Sequence, residues 1–211
     1  MKRILLLLLP VIALAAGTAD QAEHKSKEET LGTLWQASLS DEKNGETEAA
    51  LAKAAAYAKN GGDAYLASMR AGWLAYGQKK YDDAGRHYLS AARLKGNALS
   101  PRLGLLTVAQ DKGDVAAAAR AGEGVLQLEP TNYRALMAVA WGAYQAKDHH
   151  QAEARYQCVM ALYPEDTDAI SGAAWSAFYK GQKAEAKLLF RRLVSINPDY
   201  QYAKQGLEAT R

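Results

Sequence analysis

Three short stretches of the chain carry the residues best suited to binding chemistry. Each stretch pairs a tryptophan with a second aromatic ring three positions later: Trp73 with Tyr76, Trp141 with Tyr144, and Trp175 with Phe178. Residues three apart lie on one face of a helix, so each pair presents two rings together. Such surfaces bind by burying apolar area, and Trp and Tyr are enriched where binding energy concentrates.

Side chains suited to catalysis or metal binding are sparse. His149 and His150 are adjacent, so they do not share a helical face as metal ligands four apart would, and a solvated turn is predicted there. Cys158 is the single cysteine, which excludes an internal disulfide. Its repeat column is predicted to be exposed, and the thiol could pair between chains or be inert and partly packed. No phosphate-binding loop, nucleophile elbow or paired metal ligands occur in the sequence. We therefore predict that the protein is not an enzyme and uses no cofactor or metal.

The prolines indicate which elements position the aromatic pairs. Pro130, Pro164 and Pro198 follow one another at intervals of 34 residues. That interval is the length of a helix–turn–helix repeat that stacks on copies of itself. Alanine is abundant and β-branched residues are few, which favours helix over strand. The sequence thus predicts an all-α solenoid whose function lies on a surface.

Four columns of the repeat predict one buried face on each second helix. With the proline taken as position 32, position 20 is always alanine, which suits the point where two helices cross closely. The columns are Ala84, Ala118, Ala152 and Ala186 at position 20; Tyr88, Gly122, Tyr156 and Phe190 at position 24; Ala91, Val125, Val159 and Leu193 at position 27; and Leu94, Leu128, Leu162 and Ile196 at position 30. Their spacing is that of one buried helical stripe.

Together these columns resemble the tetratricopeptide repeat (TPR) family. The resemblance covers residues 65–198. Its four repeats are 65–98, 99–132, 133–166 and 167–200. Residues 29–64 resemble a degenerate N-terminal helix pair, and residues 199–211 are expected to form a C-terminal capping helix, since solenoids need such ends. The resemblance implies a TPR-type α-solenoid of antiparallel helix pairs.

The resemblance also implies where a partner would bind. In the family, positions 2, 5, 9, 12 and 13 of each first helix face a concave groove. The residues implied here are Met69, Trp73, Tyr76, Met137, Trp141, Tyr144, Trp175, Phe178 and Tyr179, with a polar interruption at Thr107, Gln110 and Asp111. The family's clamp for an acidic tail uses basic and amide residues at positions 2, 5, 6 and 9; only Arg70, at position 6, and Arg134, at position 2, are basic there, so the clamp is not reproduced.

Alternatively, the aromatic rings of the first helices could belong to the hydrophobic core and not to the groove. Position 11, where the family usually has an aromatic residue, is Ala75, Ala109, Ala143 and Ala177. These small side chains leave volume that a displaced ring could fill. A mixed arrangement, with tryptophans packed on a neighbour and one edge in the groove, combines the two possibilities.

The first residues have the pattern of a secretory signal. A basic start at Lys2 and Arg3 precedes an apolar run over 4–16, and small residues follow. We predict a cleaved signal peptide over 1–19, with Ala15 and Ala19 as alternative cleavage points, and a charged, flexible segment over 20–28. The apolar run is too short to span a bilayer, and no cysteine is available for a lipid anchor. The mature protein is therefore expected in the periplasm, without a membrane span.

Charge excludes one class of partner. Without Lys2 and Arg3, the 26 basic residues become 24 against 23 acidic ones, so the mature chain is nearly neutral and is not expected to bind nucleic acid. The resulting prediction is a non-catalytic adaptor of the bacterial cell envelope that binds a protein or peptide. A glycan- or polysaccharide-binding module is the alternative, because ring faces stack on sugars. Neither the partner's identity nor an oligomeric state is indicated.

Overall fold

The computed structural model describes the backbone of residues 9–211 and the side chains of residue 21 and residues 23–211. The predicted signal peptide, residues 1–19, lies outside the described side chains. Over the described backbone the regular structure is helical, which confirms the all-α prediction. The helices are α1 Leu9–Lys43, α2 Thr47–Lys59, α3 Ala64–Gly77, α4 Tyr81–Leu94, α5 Leu99–Asp111, α6 Val115–Leu126, α7 Tyr133–Gln145, α8 His149–Leu162, α9 Thr167–Tyr179, α10 Lys183–Ile196 and α11 Gln201–Ala209.

The helices form two compact units, one that ends at Leu74 and one that spans Ala75–Arg211. In the first unit α1 packs against α2. Residues 20–28, predicted to be flexible, are instead helical as part of α1, because the segment has neither glycine nor proline and contains good helix formers such as Glu, Lys and Gln. None of the described helices has the length and apolarity needed to cross a membrane.

In the second unit each helix packs on the next one along the chain, from α4 to α11. The first helices of successive repeats also meet, since α7 contacts α9 and α9 contacts α11. Each of the repeats 99–132, 133–166 and 167–200 contains one helix pair. Helices α7, α9 and α11 therefore lie side by side, and any surface they share is built from the same repeat positions.

The turn inside each repeat ends one helix and starts the next within three residues. Position 15 has a left-handed backbone in all four repeats, at Lys79, Gly113, Lys147 and Gly181, with φ of 58°, 74°, 62° and 83°. In one such turn the Asp114 N–H donates to the Ala109 carbonyl, which closes the C-terminal cap of α5. The Asp114 carboxylate then accepts from the Ala117 N–H and caps α6. Asp148 repeats this arrangement in the next repeat.

The predicted buried stripe is confirmed at three of its four positions. Positions 20, 24 and 27 are buried in every repeat. The prediction of burial is wrong at position 30, where the side chains are 52, 36, 44 and 38% exposed in Leu94, Leu128, Leu162 and Ile196. In α4, α8 and α10 position 30 is the last helical residue and lies about 80° around the helix from position 20, so its side chain points away from the core. In the second repeat Leu128 lies past the end of α6.

The bulky rings at position 24 fit against glycines of the following first helix. A Cβ placed on Gly172 would lie 2.3 Å from the Tyr156 ring, and one on Gly206 would lie 2.3 Å from the Phe190 ring. Real side chains do not approach so closely, so these two positions admit only glycine without a shift of helix or ring. This close approach places the Tyr156 ring beneath α9.

Candidate functional site

A groove of about 620 Å³ lies along α7, α9 and α11. It is lined by Gln110, Met137, Ala138, Trp141, Tyr144, Tyr156, Asp168, Ser171, Gly172, Trp175, Tyr179, Tyr200, Tyr202 and Gln205. Half of these residues carry an aromatic ring, and the volume is in the range of ligand-binding sites. The groove is therefore the candidate functional site of the second unit.

Five of the residues implied by the TPR resemblance line this groove. Helix α7 contributes Met137, Trp141 and Tyr144, and α9 contributes Trp175 and Tyr179. On each helix the spacings of three and four residues keep the side chains on one face. Because α7 and α9 lie side by side, their faces form a continuous lining.

The other four implied residues lie elsewhere. Met69 and Trp73 belong to the first unit. The Tyr76 hydroxyl donates to the Asp111 carboxylate, outside the groove lining. Phe178 packs against the core cluster around Phe190; α11 supplies an apolar neighbour to that cluster, so core packing satisfies this ring.

The groove rings touch one another in sequence. Trp141 stacks on Tyr144 with ring centres 5.5 Å apart and planes at 12°. Tyr144 meets Tyr179 edge-on at 6.1 Å, and Tyr179 lies 6.0 Å from Trp175. Trp175 also contacts Phe190 at 5.1 Å. Aromatic pairs at these distances stabilise one another, so the rings are held in place before any ligand arrives.

The two tryptophans of the groove differ in how far they are buried, which bears on whether their rings belong to the groove or to the core. Trp141 is 46% exposed and presents its ring to the groove. Trp175 is half-buried, lines the groove and packs on the core beneath it. Trp175 thus has core contact on one side and faces the groove on the other, but its core contact is with Phe190 of its own repeat and not with a neighbouring one.

The TPR resemblance implied that Arg70 faces a groove. This prediction is wrong, because Arg70 is buried in the first unit. Its Nη1 donates to Glu42 Oε2 at 3.0 Å, while Nε and Nη2 donate to the Ser38 hydroxyl and carbonyl oxygens. Ser38 is small, which leaves room for this long side chain against α1. The Trp73 ring is 58% exposed, and its Nε1 donates to Glu42 Oε1 at 2.8 Å. Both side chains thus bind α1.

Several polar residues of the lining were not predicted from the sequence. They belong to α9, to α11 and to the N-cap of α11. The Tyr200 hydroxyl donates to Asp168 Oδ1 at 2.9 Å. Asp168 and Ser171 occupy positions 2 and 5 of their repeat, and Tyr202 and Gln205 occupy the same positions if the 34-residue period is extended past Pro198. Asp168 and Ser171 lie at positions that the resemblance already places on the groove face, and extending the period into the capping helix would have found Tyr202 and Gln205.

The pKa values of two groove tyrosines, Tyr144 and Tyr200, are raised above the ordinary value. Burial, followed by the neighbouring Tyr179, raises the pKa of Tyr144 to about 12. Burial also raises the pKa of Tyr200, and the hydrogen bond to Asp168 adds to that rise. Because the ionised form is disfavoured, these hydroxyls act as neutral hydrogen-bonding groups.

His149 is not in a solvated turn. It begins α8, is partly buried, and stacks on Tyr179 with ring centres 5.0 Å apart. Its neighbours are therefore rings of the groove wall. Cys158 is exposed, as predicted. Within the described side chains, no three His, Cys, Asp or Glu residues converge as metal ligands would.

No family model and no curated protein matches the amino-acid sequence. Several solved structures match the fold. YrrB, described as a TPR protein with an unusual peptide-binding site, matches with a TM-score of 0.66 and 18% identity over 83% of this chain and 90% of that one. A TPR protein from Parabacteroides merdae ATCC 43184 matches with a TM-score of 0.64 and 17% identity, over 86% and 72% of the two chains. The MamA protein gives 0.63 and 19%, over 70% and 81%. These likenesses confirm the TPR-type fold.

Proposed function

We infer from the TPR-type fold and its aromatic groove that the chain is a non-catalytic scaffold that holds a segment of a partner protein. The observation that carries this proposal is the lining of α7, α9 and α11, where half of the residues are aromatic. Trp and Tyr dominate the centres of protein interfaces because they bury a large area with few rotatable bonds.

The form of the groove supports a chain-like ligand. Its walls come from three first helices that follow one another in the stack, so the lining extends across successive repeats. An amphipathic helix or an extended segment places side chains at regular intervals and can contact each wall in turn. Binding of a peptide segment is also the property for which YrrB is described.

A selection from random peptides tests this proposal without a known partner. The full chain is used to pan a phage library of random 12-residue peptides, and enriched peptides are synthesised with a fluorescent label. Trp141→Ala should weaken their binding about tenfold or more, as expected for an interface hot spot. Trp73→Ala is the matched control, because Trp73 occupies the same repeat position but does not line the groove, and it should leave binding unchanged.

Two results would overturn the proposal. One is the absence of any peptide whose binding depends on Trp141. The other is a change in Trp141 and Trp175 fluorescence with soluble cell-wall glycan fragments but with no peptide, which would support the glycan-binding alternative.

Export to the envelope is a second part of the proposal. It rests on the basic and apolar pattern of residues 1–19. Expression in a Gram-negative host, followed by fractionation and N-terminal sequencing, should recover periplasmic protein that begins at Ala16 or Asp20. Recovery of cytoplasmic protein that still carries residues 1–19 would contradict export.

A further inference from the structure

The charge of the groove is one-sided. Among the described residues that line it, Asp168 is charged, and none is Lys or Arg. Asp168 lies in the first turn of α9, is exposed, and accepts a hydrogen bond from the Tyr200 hydroxyl. Across the part of the chain with described side chains, no Lys or Arg forms an ion pair with it. The groove therefore holds a carboxylate without a cationic partner.

Arg134 and Lys180 lie next to the lining, and both have partners other than Asp168. Arg134 Nη2 donates to Gln110 Oε1 at 2.6 Å and to Thr107 Oγ1 at 3.2 Å. Lys180 follows Tyr179 in the chain, but its Nζ pairs with Glu153, and both side chains of that pair are largely buried. These contacts hold the two positive charges on groups other than Asp168.

The rings add to the same preference. The face of an aromatic ring carries negative potential and attracts Arg or Lys within about 6 Å of its centre. Asp168, Ser171 and Trp175 are spaced by three and four residues, so the carboxylate and an indole share one face of α9. Tyr200 and Tyr202 lie beside them, with ring centres 5.9 Å apart.

From this charge pattern we propose that the partner segment presents an Arg or Lys side chain to Asp168, with its aliphatic stem against the rings of α9 and α11. The inference rests on the proposed function and names the chemistry of the ligand. An acidic segment would place its charge against Asp168 and lose hydration without gaining a cationic contact. A basic segment gains a charge-assisted hydrogen bond and cation–π contacts.

The peptides selected by panning provide the test. They should be enriched in Arg or Lys over the starting library. Replacing the critical arginine by citrulline, or the critical lysine by acetyl-lysine, removes the charge with little change in shape and should weaken binding about tenfold. Asp168→Asn should weaken the unmodified peptide by a similar factor, while its side-chain oxygen still accepts from Tyr200.

A double-mutant cycle separates a direct contact from a general charge effect. If the basic side chain meets Asp168, the neutral peptide should bind wild type and Asp168→Asn with similar affinity, because the interaction is already lost. Glu165→Gln is the control, since it changes the net charge equally and lies in the turn before α9, outside the groove lining. It should have little effect.

The outcomes distinguish the two proposals. Peptides that need Trp141 but are neutral or acidic, and that bind Asp168→Asn as well as wild type, would overturn the basic-segment inference while the peptide-binding function stands. Absence of any Trp141-dependent peptide would overturn both. The citrulline and acetyl-lysine comparisons use the unmodified chain, so they do not depend on how any variant folds.

Discussion

Trp73 and Trp141 occupy the same repeat position, but their rings serve different purposes. In the first unit, Trp73 donates to Glu42 of α1, and Arg70 is buried against the same helix. In the second unit, Trp141 stacks on Tyr144 and lines the groove. The repeat position fixes which face of the helix carries the ring. The neighbouring element decides whether that ring contacts its own chain or lines the groove.

The largest expected effect tests the first unit. Arg70→Ala removes a buried cation and leaves the two Ser38 oxygens and Glu42 Oε2 without the Arg70 donor, while Glu42 Oε1 keeps its hydrogen bond from Trp73. We expect a loss of about 3 kcal/mol in local stability, at the lower end for a buried ion pair because Glu42 is partly exposed. Amide hydrogen exchange of α1 and of residues 64–74 measures it. A loss below about 1 kcal/mol would show that Arg70 does not hold this unit together.

The two groove tryptophans should differ in their contribution to stability. Trp175→Ala removes a ring that packs on Phe190, and we expect a loss of about 2–3 kcal/mol, less than for a fully buried ring. Trp141→Ala should cost about 1 kcal/mol, because nearly half of that side chain is already exposed. Urea unfolding followed by circular dichroism compares them. Equal losses would contradict the assignment of Trp175 to both core and groove.

A methyl group at Gly172 should push α9 and the Tyr156 ring apart. We expect Gly172→Ala to lower stability by about 1–2 kcal/mol, since overpacking outweighs the better helix propensity of alanine. Gly32→Ala in α1 is the matched control, because nothing lies within 4 Å of its added Cβ. That variant should raise stability by up to about 1 kcal/mol. A gain in both variants would show that Gly172 is not closely packed.

The smallest effects concern the left-handed turns. Lys147 adopts φ of 62°, which is strained for a residue with a side chain, whereas Gly181 adopts φ of 83° without strain. Lys147→Gly should raise the free energy of unfolding by about 0.5–1 kcal/mol, and Gly181→Ala should lower it by about 1 kcal/mol. Thermal unfolding of the two variants measures both signs, and changes of the same sign would contradict the turn geometry.

The 34-residue period and most of the hydrophobic core could be predicted because their residues recur at the same positions in each repeat. The alanine present in all four repeats, the aromatic ring present in three and the apolar residue at position 27 predicted the helix pairs and most of the buried stripe. The prediction of burial failed at position 30. An aliphatic residue was assumed to be buried there, although its angle around the helix points the side chain outward. The fit of Tyr156 over Gly172 was also missed, because it joins columns of different repeats.

The site was predictable where the groove positions of complete repeats carry Met or an aromatic residue, but Asp168 and Ser171, polar residues at such positions, were not identified. Met137, Trp141, Tyr144, Trp175 and Tyr179 followed from the repeat positions and the TPR resemblance. Tyr202 and Gln205 of α11 were treated as parts of a cap, although they continue the same columns. Arg70 was placed on the wrong surface, because no repeat position indicates that α1 offers a small serine and a carboxylate.

The central claim is that the second unit binds through its groove while Trp73 serves its own unit. The indole N–H signals of the four tryptophans, assigned in NMR spectra by single Trp→Phe variants, test it during titration with a peptide selected by panning. The Trp141 and Trp175 signals should shift, and those of Trp35 and Trp73 should not. A shift of Trp73 with no change at Trp141 and Trp175 would contradict the claim.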